Sequence, residues 1–99
     1  MRVAQLGEGH PDVAVVGSIH GDEPCGARAI ERLLIEEPPL ERPVTFVIAN
    51  EEALDRGVRY VDADLNRAFE DGGDPRDHEY GLARRLAEEI AGCTVLSIH

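Results

Sequence analysis

The order of apolar and amphipathic segments constrains the fold of this chain most strongly. Two apolar runs rich in β-branched residues, "DVAVVGSI" from Asp12 and "VTFVIAN" from Val44, are separated by a segment whose apolar residues recur at helical spacing. A third run, "CTVLSIH" from Cys93, follows another helical pattern. This alternation is typical of α/β proteins with largely parallel strands. We therefore predict a layered α/β/α domain with a mostly parallel central sheet.

Breakers and capping residues indicate where these elements begin and end. The spacing predicts a helix over residues 24–35, which the prolines of "EEPPLERP" end. Asp77 can cap a last helix, and Gly92 lies where that helix would stop. Residues 51–75 have no clear period, and "EDGGDP" within them predicts a loop. An additional edge strand is predicted in "RVAQL" near the start of the chain.

The chain is strongly acidic. Twenty acidic residues face ten basic ones, all of them arginine, which gives a formal net charge of -10. This charge disfavours nucleic acid and anionic membranes as partners. The acidic excess without lysine indicates a halophilic cytoplasm, where dense salt screens the self-repulsion. The sequence has neither the roughly 20 apolar residues of a membrane span nor an apolar secretory leader, so we expect a cytoplasmic protein.

Length and cysteine content bound the organisation of the chain. Ninety-nine residues suit one globular domain with one core. Cys25 and Cys93 are too few and too far apart for a disulfide framework or a paired-cysteine zinc site. We interpret both as reduced packing residues. The sequence leaves the oligomeric state open.

Polar side chains stand at the ends of the three apolar runs. His20 and Glu23 lie on one glycine-flanked turn, "GSIHGDEP", while Asn50 and His99 end the other two runs. Ligands of open α/β sheets bind at the carboxyl ends of the strands. Imidazole and carboxylate together suit zinc, and a second imidazole would leave one position for water. The alternative is a surface histidine and a glutamate placed favourably at a helix N-terminus, with His99 unrelated to them.

The loop "RYVDADLNRAF" carries further groups that can bind a substrate. Arg59 suits a carbonyl or its oxyanion, Asn66 adds an amide donor, and Arg67 offers a planar fork for a carboxylate. The alternative is a charged surface loop whose arginines pair with nearby aspartates, because exposed ion pairs are common.

These motifs, taken in order, resemble a known family. The turn "GSIHGDEP", then Asn50 with Ala53, then "RYVDADLNRAF" and a strand ending in histidine are similar to the succinylglutamate desuccinylase and aspartoacylase family, relatives of the zinc carboxypeptidases. The resemblance covers nearly the whole chain. It implies a zinc carboxypeptidase-like (phosphorylase/hydrolase-like) fold, of which residues 1–99 are the N-terminal part.

The resemblance also implies a role for individual residues. It implies Zn2+ as the cofactor, with His20, Glu23 and His99 as the ligands. Arg59 matches the catalytic arginine that polarises the scissile carbonyl. Asn66 and Arg67 match the pair that binds the carboxylate of the substrate.

The implied reaction is hydrolysis of the amide bond of an N-acyl amino acid, a small-molecule substrate with a carboxylate. The family's general-base glutamate lies downstream of the third ligand, and the sequence ends at His99, so we expect the 99 residues alone to be inactive or weakly active. Glu51 stands where the family usually has proline. Ser97 and Ile98 before the last histidine are closer to the carboxypeptidases. Two alternatives stay open: a zinc carboxypeptidase acting on peptides, and a non-catalytic metal-binding module.

Overall fold

The computed structural model describes residues 1–70 and 73–99. Asp71 and Gly72, which belong to the loop predicted in "EDGGDP", lie outside the described residues. The strands are β1 (Arg2–Leu6), β2 (Val13–Gly17), β3 (Val44–Ile48) and β4 (Thr94–Ile98). The helices are α1 (Cys25–Glu36), α2 (Glu51–Arg56), α3 (Leu65–Ala68) and α4 (His78–Ile90). Within this part of the chain, none of the helices has the length and apolarity needed to cross a bilayer.

The sheet is mostly parallel, as predicted. Its strand order is β1-β3-β2-β4, with β2 parallel to both of its neighbours and β1 antiparallel to β3 at one edge. The register places Gly17 beside both Ile48 and Ile98. The residues that follow β2, β3 and β4 therefore emerge side by side at one end of the sheet.

Helices cover both faces of the sheet, which confirms the α/β/α layering. On one face, α1 packs against β3, and the buried residues are Ala27, Ile30, Phe46 and Ile48. On the other face, α3 and α4 pack against β2, β3 and the residues after them, and the buried residues are Val16, Ile19, Val47, Ala49, Leu65, Ala68, Leu82, Ala83 and Leu86. Burial of these apolar side chains supplies the main favourable term in folding.

Residues 51–75 are more regular than their sequence pattern indicates. They contain α2 and α3, which are 6 and 4 residues long and too short to show a helical period. The Asn50 side chain caps α2 by accepting a 3.3 Å hydrogen bond from the Ala53 N–H. Asp64 caps α3 in the same way, with a 3.0 Å bond from the Asn66 N–H. Local caps, not an amphipathic face, start these helices.

The predicted start of α4 is confirmed, but the capping group is different. Asp77 stands just before the helix, and its side chain makes no capping hydrogen bond. The carboxylate of Asp62 instead accepts a 2.7 Å bond from the His78 N–H. The loop before α3 is thereby tied to the first turn of α4.

The two cysteines are free, as predicted, but only one of them packs against the fold. Cys93 is half-buried, and its Sγ lies 3.6 Å from the Pro11 carbonyl oxygen. Cys25 is exposed in the first turn of α1, so its interpretation as a packing residue was wrong.

Candidate metal centre

The turn after β2 lies directly against α2 and the residues that follow α2. A Cβ on Gly21 would come within 2.2 Å of the Ala53 carbonyl carbon and 2.3 Å of the Val58 oxygen, so the turn requires glycine there. The Gly21 N–H donates a 3.0 Å hydrogen bond to the carbonyl of Arg59. This contact fixes the turn against the start of residues 59–69, the arginine-bearing loop.

Hydrogen bonds within the turn hold an unusual backbone conformation. Ser18 has a φ of 53°, in the left-handed region that residues other than glycine rarely adopt, at a cost of roughly 1 to 3 kcal/mol. Its buried hydroxyl donates a 3.1 Å bond to the Glu23 carbonyl, and the Glu23 N–H donates a 3.2 Å bond to the His20 carbonyl. These bonds fix the segment from Ser18 to Glu23, which carries the candidate ligands His20 and Glu23.

His20 is the most enclosed of the candidate ligands, with 4% of its surface exposed. Its Nδ1 lies 2.7 Å from Glu23 Oε1, and its Nε2 lies 2.9 Å from Asp64 Oδ1. Burial lowers the pKa of His20, but the two carboxylates outweigh burial and leave this pKa raised. The hydrogen bond with His20 lowers the pKa of Glu23. For Asp64, burial raises the pKa, and the contacts with His20 and the Asn66 N–H reverse the shift.

His99 reaches the same place from the end of β4. Its Nδ1 lies 3.7 Å from Glu23 Oε1, and its ring centre is 6.2 Å from that of His20. One donor atom from each of His20, Glu23 and His99 can be chosen so that all three lie within 4.8 Å of one another. The predicted convergence of these three side chains is therefore confirmed. The identity of a metal there stays a prediction.

The donor set fits zinc in type and approaches it in spacing. Zinc lies roughly 2.0 to 2.2 Å from its nitrogen and oxygen ligands in a tetrahedral arrangement, so two ligand atoms of one ion are about 3.4 Å apart. The three donor atoms lie within 4.8 Å of one another, so the side chains would close by roughly 1 to 1.5 Å around an ion. Asp64 contacts the His20 nitrogen that faces away from Glu23, and carboxylates commonly hold metal-binding histidines in this way.

The predicted substrate-binding residues lie on the adjoining loop. The Arg59 guanidinium is half exposed and lies 3.8 Å from Asp22. Asp22 belongs to residues 17–24, the ligand turn that carries His20 and Glu23, and not to the loop itself. Asn66 and Arg67 are exposed residues of α3, directly after Asp64. Arg67 and Asp64 line a small cavity of about 130 Å³. The functional roles of these two arginines and of Asn66 stay predictions.

Two acidic residues that the sequence patterns did not single out organise this region. Asp64 contacts His20, although its sequence position suggested only an ion pair with a nearby arginine. Glu79 binds the backbone of residues 61–63 and the side chain of Asn50. In the sequence, Glu79 resembles any acidic residue in the first turn of a helix. The only signal that pointed to Asp64 is its place just before "LNR".

Comparisons with known proteins give the same family that the motifs resemble. The model of the succinylglutamate desuccinylase/aspartoacylase catalytic domain matches residues 9–95. A probable aspartoacylase from Prochlorococcus marinus (strain MIT 9301) is 30% identical over 69 residues, which are 68% of this chain and 23% of that protein. An N-acyl-aromatic-L-amino acid amidohydrolase (carboxylate-forming) from Xenopus laevis is 40% identical over 60 residues, which are 58% of this chain and 20% of that protein.

A solved structure has the same fold. The succinylglutamate desuccinylase from Vibrio parahaemolyticus superimposes with a TM-score of 0.77 over 90% of this chain and 35% of that chain, at 20% sequence identity. The predicted zinc carboxypeptidase-like fold is thereby confirmed. The chain spans 20 to 23% of the length of the two curated relatives. Because the family model matches residues 9–95, which include the ligand turn and the arginine-bearing loop, this chain belongs to the succinylglutamate desuccinylase/aspartoacylase catalytic domain family.

Proposed function

We propose that residues 1–99 are the N-terminal, metal-binding part of a zinc-dependent hydrolase domain that cleaves the amide bond of an N-acyl amino acid. The observation that carries this proposal is the convergence of His20, Glu23 and His99 to within 4.8 Å at one end of the sheet. The contact between Asp64 and the second nitrogen of His20 supports it, because such a contact orients an imidazole toward a metal.

His20, Glu23 and His99 would hold zinc through two imidazole nitrogens and one carboxylate oxygen. When bound, zinc supplies Lewis acidity toward a carbonyl oxygen and acidifies a water molecule. Asp64 would accept the Nε2 proton of His20, which leaves the Nδ1 lone pair on the side of Glu23.

The arginine-bearing loop would bind the substrate. Arg59 lies beside the ligand turn, where its guanidinium would stabilise negative charge that develops on the carbonyl oxygen. Asn66 and Arg67 would bind the substrate carboxylate, because an amide and a planar guanidinium can donate several hydrogen bonds to one anion. We infer a small-molecule substrate with a carboxylate.

The names of the relatives support an N-acyl amino acid over a peptide. They include aspartoacylase, N-acyl-aromatic-L-amino acid amidohydrolase and succinylglutamate desuccinylase. The chain spans only 20 to 23% of the length of these relatives, so the activity of the whole protein is part of the proposal. We expect the 99 residues alone to hydrolyse substrate weakly or not at all, because none of them matches the family's general-base glutamate.

The acidic composition supports a halophilic cytoplasm as the cellular setting. A formal charge of -10 without lysine suits a halophilic cytoplasm, where salt screens repulsion between carboxylates. We expect the free energy of unfolding to rise between about 0.1 and 2 M KCl, measured by urea denaturation. A flat or falling dependence on salt would contradict this setting.

The metal assignment is tested by calorimetric titration of the 99-residue chain with zinc. The wild type should bind one ion, and Glu23→Gln should weaken binding by more than tenfold, because it removes a charged ligand. Glu31→Gln, at an exposed position on α1, is the matched control and should bind like the wild type. No binding by the wild type, or equal binding by the Glu23 variant, would exclude the proposed centre.

The reaction is tested with the longest natural protein that contains this chain. N-acetyl-L-aspartate, N-succinyl-L-glutamate and a peptide with a free C-terminal carboxylate are compared as substrates. Preferential cleavage of either N-acyl amino acid supports the proposal. Preferential cleavage of the peptide would assign the carboxypeptidase alternative, and zinc binding without cleavage would assign the non-catalytic module.

A further inference from the structure

Glu79, in the first turn of α4, is a carboxylate with no exposed surface. Burial of a charged group is unfavourable unless hydrogen bonds or an opposite charge compensate for the lost water. A buried glutamate that only filled space would therefore stabilise the fold less than an apolar residue at the same position. The arrangement of its partners indicates a more specific role.

Four N–H groups converge on this carboxylate. Glu79 Oε1 accepts hydrogen bonds from the backbone of Asp62 (2.8 Å) and Ala63 (2.9 Å). Oε2 accepts from the Val61 N–H (2.9 Å) and from the Asn50 side chain (2.8 Å). Three consecutive backbone N–H groups facing one anion form a concave nest. Burial raises the pKa of Glu79, but these hydrogen bonds outweigh burial and lower this pKa, so the carboxylate is charged at neutral pH.

The bound segment, residues 61–63, lies between two contacts with the ligand turn. Asp64 follows the segment directly and contacts Nε2 of His20. Arg59 precedes the segment by two residues and accepts a hydrogen bond from the Gly21 N–H. Glu79 therefore holds the middle of a loop whose two ends meet the candidate metal centre.

Asn50 connects the same carboxylate to the end of β3. Its side-chain NH2 donates to Glu79, and its Oδ1 accepts from the Ala53 N–H and lies 3.1 Å from His78 Nε2. Asn50 has no exposed surface, so its position is set by these partners. Glu79 thus joins α4, the end of β3 and the arginine-bearing loop at one point.

We propose that Glu79 is a positioning residue of the candidate metal centre, which fixes the loop carrying Arg59 and Asp64 against the turn carrying His20. It acts through the backbone of residues 61–63 and does not touch the centre itself. The part of this inference that concerns metal affinity rests on the proposed function. Loss of the carboxylate should release Asp64 from His20 and weaken zinc binding although all three ligands are retained.

The experiment compares Glu79→Gln with the wild type in the 99-residue chain. Glutamine keeps the length of the side chain but turns an NH2 group toward N–H donors, which removes part of the nest. The matched control is Ile30→Val, which trims the core on the opposite face of the sheet and leaves the loop untouched. All variants are studied where circular dichroism shows them folded. The measurements are amide hydrogen exchange, the 15N signals of the His20 ring, and zinc affinity by calorimetry.

We expect Glu79→Gln to speed exchange of the amides of residues 61–63 by about tenfold or more relative to the amides of β2 and β3. The His20 Nε2 signal should shift, and zinc affinity should fall by about tenfold, the range typical for loss of an outer partner of a metal ligand. Ile30→Val should change none of these three. Glu79→Asp, which retains the charge on a shorter side chain, should give intermediate values, and it replaces Glu79→Gln if the latter does not fold.

Each contrary outcome is decisive. Unchanged relative exchange of residues 61–63, or an unchanged His20 ring signal, would overturn the positioning role. Equal loss of zinc affinity in Ile30→Val would also overturn it, because general destabilisation would then suffice. If the wild type binds no zinc, the proposed function fails. Amide hydrogen exchange of residues 61–63 and the 15N signal of the His20 ring still decide whether Glu79 positions the loop.

Discussion

The two halves of the candidate metal centre are held in very different ways. The His20 side chain is 4% exposed and lies between two carboxylates, on a turn fixed by a close glycine contact. The His99 side chain is 50% exposed and follows β4, which within the described residues pairs with β2 alone. Within residues 1–99, the fold encloses the His20 half of the centre and leaves the His99 half open to solvent.

The same contrast distinguishes the central strands β2 and β3 from the edge strand β4. Val16 of β2 and Val47 of β3 are 1% and 0% exposed, whereas Val95 and Leu96 of β4 are 42% and 59% exposed. Ordering a residue such as His99 costs on the order of 1 to 2 kcal/mol of conformational entropy. In the 99-residue chain we expect this cost to reduce what His99 contributes to metal affinity, whereas the enclosed His20 is already ordered by the fold.

The largest expected effect tests whether His20 contributes more to zinc affinity than His99. His20→Ala should weaken zinc binding by roughly a hundredfold or more, beyond the loss expected for an outer partner. His99→Ala should weaken it by only about tenfold, because part of its contribution is offset by the cost of ordering it. Calorimetric titration measures both, with the exposed His10→Ala as control. Equal losses at positions 20 and 99 would show that the two halves are equally preorganised.

Substitution of Gly21 in the ligand turn should have the next largest effect. Gly21→Ala should lower the free energy of unfolding by about 2 to 3 kcal/mol, because its methyl group would overlap the backbone of Ala53 and Val58. Gly81→Ala should raise it by about 0.5 to 1 kcal/mol, because Gly81 lies on the exposed side of α4 and a Cβ there would meet no atom of the described residues within 4 Å outside its own helix and chain neighbours. Urea denaturation measures both values. A neutral Gly21→Ala would mean that the turn is not held by this contact.

The pH dependence of the free energy of unfolding should reveal the contribution of Glu79, whose carboxylate holds residues 61–63. Because the pKa of Glu79 is lowered in the fold, its stabilisation is fully present above the ordinary value of 4.5 and is lost as the pH falls through the lowered value. Glu79→Gln should therefore cost about 1 to 3 kcal/mol near pH 7, and this cost should shrink as the pH falls below about 4.5. Urea denaturation at several pH values measures it. The exposed Glu89→Gln on the same helix should keep the wild-type pH profile.

The smallest expected effect concerns the edge strand. In the 99-residue chain, Leu96→Ala should change the free energy of unfolding by less than about 0.5 kcal/mol, because this side chain is mostly exposed there. Val16→Ala, on the neighbouring strand, should cost about 2 kcal/mol. If Leu96→Ala costs as much as Val16→Ala, and the cost grows with protein concentration, β4 is covered by another chain in solution.

Sequence reasoning predicted the parts of this molecule that obey a repeating pattern. The apolar runs predicted the strands, and the spacing over residues 24–35 predicted α1 to within one residue at each end. The convergence of His20, Glu23 and His99 was also predictable, because the carboxyl ends of parallel strands meet at one end of a sheet. These predictions depend on local periodicity and on one general rule of topology.

Other features depend on contacts that no local pattern encodes. The contact between His20 and Asp64 joins residues 44 positions apart, and Asp62, not Asp77, supplies the cap of α4. Arg59 pairs with Asp22 of the ligand turn, whereas the sequence suggested Asp55, Asp62 or Asp64 as partners. Such partners are decided by how the loop packs, so they become visible only in the folded chain.

The hydrogen bonds of Glu79 also bear on the order of folding. They join segments that are 16 to 29 residues apart in the chain. They are more local than the pairing of β4 with β2, which joins Val13 to Thr94 and brings His99 to the centre. Because contacts between residues far apart in the chain cost more loop-closure entropy, we expect the nest around Glu79 to form before His99 reaches the centre. A metal that binds through His99 should then mainly slow unfolding and change the rate of folding little, as folding kinetics with and without zinc would show.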